Sequence, residues 1–254
     1  MRMHLLSGGR LSMPRIAYYP DAQPGDWFEM PVSCALFRHA QGLALFDTGC
    51  HPDAADDAAS RWGEVPARRT RPIFRREEAV IGQLPKAGVA PEDVDLVICS
   101  HLHYDHCGCN ALFSRATVIC HARELAEAQA EGAEQKGFLR REWDVGATIH
   151  AIEGEHDVFG DGRLTLIPLP GHTLGSLGAH AVLDRSGPFL LASDAAPVES
   201  SLTHRTVPMN TRDPELYLAS LAGIARHADD GATVLFGHDE AQWRRLRTGA
   251  AHYD

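Results

Sequence analysis

The segment His101-Leu102-His103-Tyr104-Asp105-His106 constrains this chain more than any other part of it. Four side chains able to bind a metal fall within six residues, in the pattern His-x-His-x-Asp-His. They follow Val94-Asp95-Leu96-Val97-Ile98-Cys99, an apolar run that reads as a buried strand. The cluster therefore sits where a strand gives way to a loop, a common position for functional side chains on a rigid scaffold. Side chains two apart in extended backbone point the same way, so His101, His103 and Asp105 can converge. His106 can join them as the loop turns. Imidazole suits zinc, iron, cobalt or manganese, and carboxylate suits any hard cation. One ion rarely takes four ligands from so short a segment, because its geometry cannot be met, and two neighbouring ions are the economical reading. A lone histidine is more often a hydrogen-bonded or surface residue than a ligand, but four such residues at this spacing resist an explanation by packing.

Three further strand ends supply the same residue types. A strand over 164–168 leads to Pro170-Gly171-His172-Thr173, one over 189–192 leads to Ser193-Asp194, and one over 233–236 leads to Gly237-His238. Each is weak alone, since a loop histidine is usually structural and an aspartate at a strand end is often a turn residue or cap. Together they offer His101, His103, Asp105, His106, His172, Asp194 and His238, a set that suits two ions sharing one bridging carboxylate. Of the other histidines, His51, His121, His150, His156, His180 and His227 read as structural or surface residues.

Further apolar strands are expected over 32–37, 43–46, 96–99 and 116–120, the first two joined as a hairpin through Gln41-Gly42. Helical patterns cover 77–87, 122–135 and 214–227, the last opening with Asp213 as N-cap and Pro214 at the first helical position. Residues 53–76 have weak periodicity and read as a long, partly irregular loop. Hairpins followed by mixed strands and helices imply α/β layers with helices over sheet faces. The length of 254 residues, with no linker or repeat, suits a single domain spanning 1–254. A formal charge of −10 argues against a nucleic-acid partner, and weakly against an anionic membrane surface. The one basic cluster, Arg68, Arg69, Arg71, Arg75 and Arg76, reads as a solvated segment. The six cysteines form no Cys-x-x-Cys pair, and the N-terminus has no clear signal features, so reduced thiols in a cytoplasm are expected. Cys107 and Cys109, just past the cluster, read as small buried residues rather than ligands.

On these residues the chain resembles the metallo-β-lactamase superfamily. His101 to His106 matches its His-x-His-x-Asp-His signature, and Asp47-Thr48-Gly49 matches the Asp-Thr-Gly after its early hairpin. Pro170-Gly171-His172-Thr173, Asp194 and Gly237-His238 match its later motifs in order. The resemblance implies a four-layer αββα sandwich with a dinuclear site at one edge. By it, His101, His103 and His172 would hold one ion and Asp105, His106 and His238 the other, with Asp194 bridging. Asp47 would orient the ligand loops. The two divalent ions would be zinc first, with cobalt, manganese or iron as alternatives.

Within the superfamily the chain looks most like the N-acyl-homoserine lactonases, through Met30-Pro31-Val32-Ser33-Cys34, the run 45–52 and Leu235-Phe236-Gly237-His238-Asp239. The implied reaction is attack of a metal-bridging hydroxide on the lactone carbonyl, with Asp105 shuttling the proton. The alternative is hydrolysis of another small lactone or ester. β-Lactamases generally lack the bridging Asp, and nucleases would want a basic surface. A metal-binding protein without activity is disfavoured by the complete ligand set. One departure from the lactonases matters: they usually carry Tyr three residues after the bridging Asp, thought to touch the substrate, where this chain has Pro197. His204, Ser200, Ser201 and Tyr104 are the candidate replacement donors. His204 is preferred, because a nearby helix or loop could aim its imidazole inward. Trp27, Phe28, Met30, Trp62 and Phe74 could line an apolar groove for an acyl chain, although core packing explains each singly. The expected partner is a small lactone, with no nucleic acid and no membrane, and the expected state is a monomer or homodimer.

Overall fold

Twelve strands form two sheets in the computed structural model, which describes residues 1–254. The first sheet holds β1 (Arg2–Pro14), β2 (Trp27–His39), β3 (Gly42–Phe46), β4 (Arg71–Pro72), β5 (Leu96–Ile98), β6 (Thr117–His121) and β7 (Ile149–Ile152), in the order β4-β1-β2-β3-β5-β6-β7. The second holds β8 (His156–Asp157), β9 (Leu164–Pro168), β10 (Leu177–Leu183), β11 (Gly187–Ser193) and β12 (Thr233–Phe236), in the order β12-β11-β10-β9-β8. β3, β5, β6 and β7 run parallel, as do β11 and β12, while β1, β2, β3 and β4 pair antiparallel. The expected hairpin is present, with Ala35 opposite Phe46 and His39 opposite Gly42.

Period-two alternation sorts each strand's side chains between two cores. Ala35, Phe37, Ala44 and Phe46 pack with Leu166, Leu177, Ala179 and Leu191 between the sheets. Their neighbours Cys34, Leu36 and Leu45 pack outward. Because both faces are covered, the strands read as continuous apolar runs. Short helices follow the chain: α1 (Asp53–Asp56), α2 (Ala58–Trp62), α3 (Glu64–Arg69), α4 (Val80–Gln83), α5 (Ala122–Gln129), α6 (Arg140–Trp143), α7 (Glu199–Thr203), α8 (Pro214–Asp229) and α9 (Glu240–Trp243). Val80, Leu84, Ala128 and Trp143 cover the first sheet, and Tyr217, Leu221 and Ile224 of α8 cover Leu190 and Ala192 of the second. The result is the helix–sheet–sheet–helix layering of the αββα sandwich. No helix is long and apolar enough to cross a membrane.

Three expectations about local structure change. The helix over 77–87 is broken into a 3-10 turn at Arg76–Glu78, α4, and a second 3-10 turn at Leu84–Ala87. Pro85 supplies no N–H to continue an α-helix there. The helix over 122–135 stops at Gln129, and Gly132 takes a left-handed φ of 77° before a separate turn, Ala133–Lys136. Residues 53–76 are not irregular: they carry α1, α2 and α3. Asp57 caps α2 by accepting from Ser60 N–H at 2.9 Å, and Gly63 at φ 89° ends it. β1, β7 and β10 were not evident from pattern alone, β1 because Ser7-Gly8-Gly9-Arg10 interrupts its alternation at a bulge.

Candidate metal centre

The strand ends bring all seven side chains singled out in the sequence to one edge of the sandwich. His101 follows β5, His172 follows β9, Asp194 follows β11 and His238 follows β12. Three groups have ligand atoms within 4.8 Å of one another: His101, His103 and His172; His101, His106 and Asp194; and Asp105, His106 and His238. His103 Nδ1 lies 3.1 Å from His101 Nε2 and 3.0 Å from His172 Nε2. Asp194 faces both ends of the cluster. Its Oδ2 lies 3.3 Å from His172 Nε2, and its Oδ1 lies 2.9 Å from His238 Nε2 and 3.4 Å from His106 Nε2. Gly171 allows the turn that delivers His172: it sits at φ +141°, and a Cβ there would lie 2.3 Å from Tyr217 Cα.

Partners behind the rings set which nitrogen faces inward. Asp47 Oδ2 is 2.8 Å from His106 Nδ1. The same carboxylate accepts from Ser100 N–H and Ser100 Oγ–H, both at 2.7 Å. Asp47 itself is held at φ 59°, in the left-handed region, by the loop it ties together. Pro31 O lies 2.8 Å from His238 Nδ1. With an N–H at each Nδ1, loss of the second ring proton leaves each Nε2 as a lone pair aimed into the cluster.

The donor set fits two hard or borderline divalent ions. His106 Nε2, His238 Nε2 and Asp194 Oδ1 are buried without completing a hydrogen bond, an arrangement that costs free energy unless something else meets them. Burial holds His101 well below the usual histidine range, reinforced by His106 and His103. Burial likewise pushes His172 down to about 3, against the pull of Asp194. Both rings are thus neutral ligands at ordinary pH. Burial alone would also lower His106, but Asp105, Asp194 and Asp47 outweigh it and hold that ring well above its usual value. Asp194 is the converse: burial would raise it, and His238, His172 and His106 hold it well below the carboxylate range.

A cavity of about 1060 Å³ opens over the cluster, with His103, Asp105, His172 and Asp194 in its lining. Its apolar walls include Met13, Ile16, Met30, Trp62, Phe138 and Leu139. Of the five residues expected to form a groove, only Met30 and Trp62 line it. Phe74 belongs to the core beside them, Phe28 packs on Tyr18 and Tyr19, and Trp27 is surface-exposed beneath the Arg71 guanidinium. His204 is exposed at the end of α7 and does not line the cavity; Ser200 and Ser201 do not line it either. Tyr104 does, but its O–H is given to Thr70 Oγ1 at 2.9 Å. The six cysteines are free and buried, Cys107 and Cys109 among them.

Two side chains that the sequence reading passed over belong to this site. Tyr18 is buried in the cavity lining and donates to Asp194 Oδ2 at 3.3 Å. Glu124 of α5 is fully buried and joins two ligand loops. Its Oε1 accepts from Leu102 N–H at 2.8 Å, and its Oε2 accepts from Thr173 Oγ1–H at 2.6 Å and Gly175 N–H at 3.2 Å. Burial pushes Glu124 up to about 7, against these hydrogen bonds. Neither is signalled by local pattern, since Tyr18 meets its partner 176 positions along the chain.

Comparison with known proteins agrees with this geometry. The family model of the metallo-beta-lactamase superfamily matches residues 27–247. The N-acyl homoserine lactonase AttM of Azorhizobium caulinodans is 30% identical over 263 residues, covering 100% of this chain and 99% of its own. An N-acyl homoserine lactonase of a Bacillus species is 28% identical, covering 96% and 95%. The solved structure of an N-acyl homoserine lactone hydrolase with N-hexanoyl-L-homoserine at its catalytic metal centre matches with a TM-score of 0.89 and 25% identity, covering 99% of this chain and 98% of that one. A dizinc quorum-quenching lactonase, AidC, shares the fold at a TM-score of 0.71 and 16% identity.

Proposed function

The chain belongs to the metallo-β-lactamase superfamily, and from that premise we propose that it opens the lactone ring of N-acyl homoserine lactones by metal-dependent hydrolysis. The observation that carries the reading is Asp194, which turns one carboxylate oxygen to His172 and the other to His238 and His106. His101, His103 and His172 would hold one divalent ion and Asp105, His106 and His238 the other, with Asp194 spanning both; zinc leads on the imidazole-rich set. When bound, such ions bring the pKa of water toward neutrality and polarise a carbonyl oxygen. The chain's own residues do the rest. Asp105, partly exposed in the cavity, takes the proton of the attacking water at a carboxylate oxygen and returns it to the ring oxygen as the ring C–O bond breaks. The apolar wall of Met30, Trp62, Phe138 and Leu139 excludes water and receives an acyl chain. Apart from Asp105 and Asp194, which would hold the ions, Arg69, Lys136 and Arg212 in the lining are matched by Glu64, Glu127 and Glu134, a balance suited to a neutral substrate. We take residues 1–254 as one domain acting in the cytoplasm, where six unpaired cysteines stay reduced.

The test is incubation of metal-loaded protein with short- and long-chain acyl-homoserine lactones, with and without chelator, followed by mass spectrometry. The expected result is gain of one water, abolished by chelator and restored by added zinc or cobalt. Protein holding two ions per chain that leaves these lactones intact would overturn the reading in favour of another small lactone or ester.

A further inference from the structure

Tyr18 is the hydroxyl donor of this site that meets the ligand carboxylate Asp194, and it meets it at long range. It follows a 3-10 turn, Arg15–Ala17, in the connection between β1 and β2. That turn is pinned at both ends: Arg15 N–H donates to Asp26 O at 2.8 Å, and Ala17 O accepts from Met209 N–H at 2.9 Å. The ring is 2% exposed, stacks on His238 with centroids 5.9 Å apart, and meets Phe28 edge-on. Its hydroxyl therefore cannot swing out to solvent. The contact to Asp194 Oδ2, at 3.3 Å, is longer than the roughly 2.5–3.0 Å usual for an O–H···O bond. The same carboxylate faces three imidazoles and is the group taken to span both ions. The acceptor that Tyr18 uses is thus the one most in demand elsewhere. Of the other hydroxyls in the lining, Tyr104 donates to Thr70 at 2.9 Å and Thr173 to Glu124 at 2.6 Å, while Thr211 Oγ1 has no partner but, unlike Tyr18, makes no contact with the ligand carboxylate.

We propose that Tyr18 is a catalytic hydrogen-bond donor, its phenol O–H passing from Asp194 to the carbonyl oxygen of a lactone seated over the ligand cluster. This rests on the lactonase reading. As water oxygen bonds to the carbonyl carbon, the displaced electron pair settles on the carbonyl oxygen. Tyr18 donates to that oxygen without losing its proton. The pair then returns, the ring C–O bond breaks, and the ring oxygen takes the proton carried by Asp105. A donor already fixed by packing needs no reorganisation as charge develops, which is where such groups act most strongly. Because the donor comes from the β1–β2 connection, Pro197 beside the ligand Asp194 leaves no gap in the site: its carbonyl accepts from His238 N–H at 2.7 Å and serves the backbone.

The test compares wild type with Tyr18→Phe, which keeps the ring, its stacking on His238 and its packing. Three quantities are read: metal content and affinity by chelator competition, kcat and KM on N-hexanoyl-homoserine lactone, and binding of the ring-opened N-hexanoyl-homoserine and of acetate by calorimetry. The expected result is two ions in both proteins with similar affinity, kcat lower by about 10²-fold, KM nearly unchanged, and carboxylate binding weakened by about tenfold. A kcat within about twofold of wild type would overturn the proposal. So would a loss of metal affinity with activity restored by excess metal, which would leave Tyr18 as an orienter of Asp194. An inactive wild type would overturn the lactonase reading instead; the acetate comparison then decides Tyr18, weaker binding to the variant supporting it and equal binding overturning it.

Discussion

Replacing Glu124 by Gln isolates the cost of keeping a carboxyl group at the join between two ligand loops. Glu124 is fully buried and accepts from Leu102 N–H, Thr173 Oγ1–H and Gly175 N–H. Burial is the main cause that raises it from 4.5 to about 7. Since its folded value lies above its unfolded value, the group's contribution to stability is complete below pH 4.5 and is lost as pH rises through 7. The full loss is about 3.4 kcal/mol, of which about 2.5 kcal/mol falls between about pH 5 and pH 8. Glutamine keeps one acceptor oxygen and adds an NH₂. Set toward Thr173, the NH₂ can donate to Thr173 Oγ1, whose own proton can turn to Ser176 Oγ, 2.7 Å away. Gly175 N–H is then left without a partner, at about 1–3 kcal/mol. Glu124→Gln should therefore be less stable than wild type near pH 5 and equal or more stable near pH 8. Urea unfolding of both proteins at the two pH values reads this directly, because titration of the histidine cluster is common to both and cancels. A stability gap that stays constant within about 0.5 kcal/mol across that range would refute the reasoning.

Asp47→Asn should weaken metal binding by about 10–100-fold, since Asp47 holds the His106 ring and Ser100 together; chelator competition checks it, and unchanged affinity counts against the role given to Asp47. Arg61 pairs with Glu142, whose side chain is fully buried, and so ties α2 to α6. Arg61→Leu leaves that carboxylate unpaired and should cost about 3–5 kcal/mol, while the double change Arg61→Leu with Glu142→Leu should cost less; equal losses in denaturant melts would mean the pair is not what matters. Stripping metal should lower the Tm, and adding zinc back at about 100 times its Kd should recover about 2.7 kcal/mol per ion; a melting curve indifferent to chelator and zinc would contradict two bound ions.

The candidate site was legible wherever ligands follow strands. Each of the strands before His101, His172, Asp194 and His238 is buried on both faces, so it shows as an apolar run ending at the residue that matters. The hairpin at Gln41-Gly42 and the Asp213-Pro214 start of α8 were legible for the same local reason, a turn and an N-cap written in adjacent residues. Short-range signals failed where several breakers compete. Pro85 and Gly132 break two expected helices, and Asp57 with Gly63 organises an expected loop into helices.

The sequence by itself determined the chemistry available and its order along the chain: five histidines and two aspartates at strand ends, in a pattern that names a superfamily. Tertiary structure alone decided which groups surround that chemistry. Tyr18 reaches Asp194, Glu124 reaches Leu102 and Thr173, and Arg61 reaches Glu142 only after distant segments pack together. His204, close to Asp194 along the chain, ends up exposed on the outside of α7. The physical reason is one of range. Ligand spacing is set by the two-residue repeat of a strand and the bend of one loop, which neighbouring residues encode. The partner that satisfies a buried hydroxyl or carboxylate is set by where whole layers come to rest.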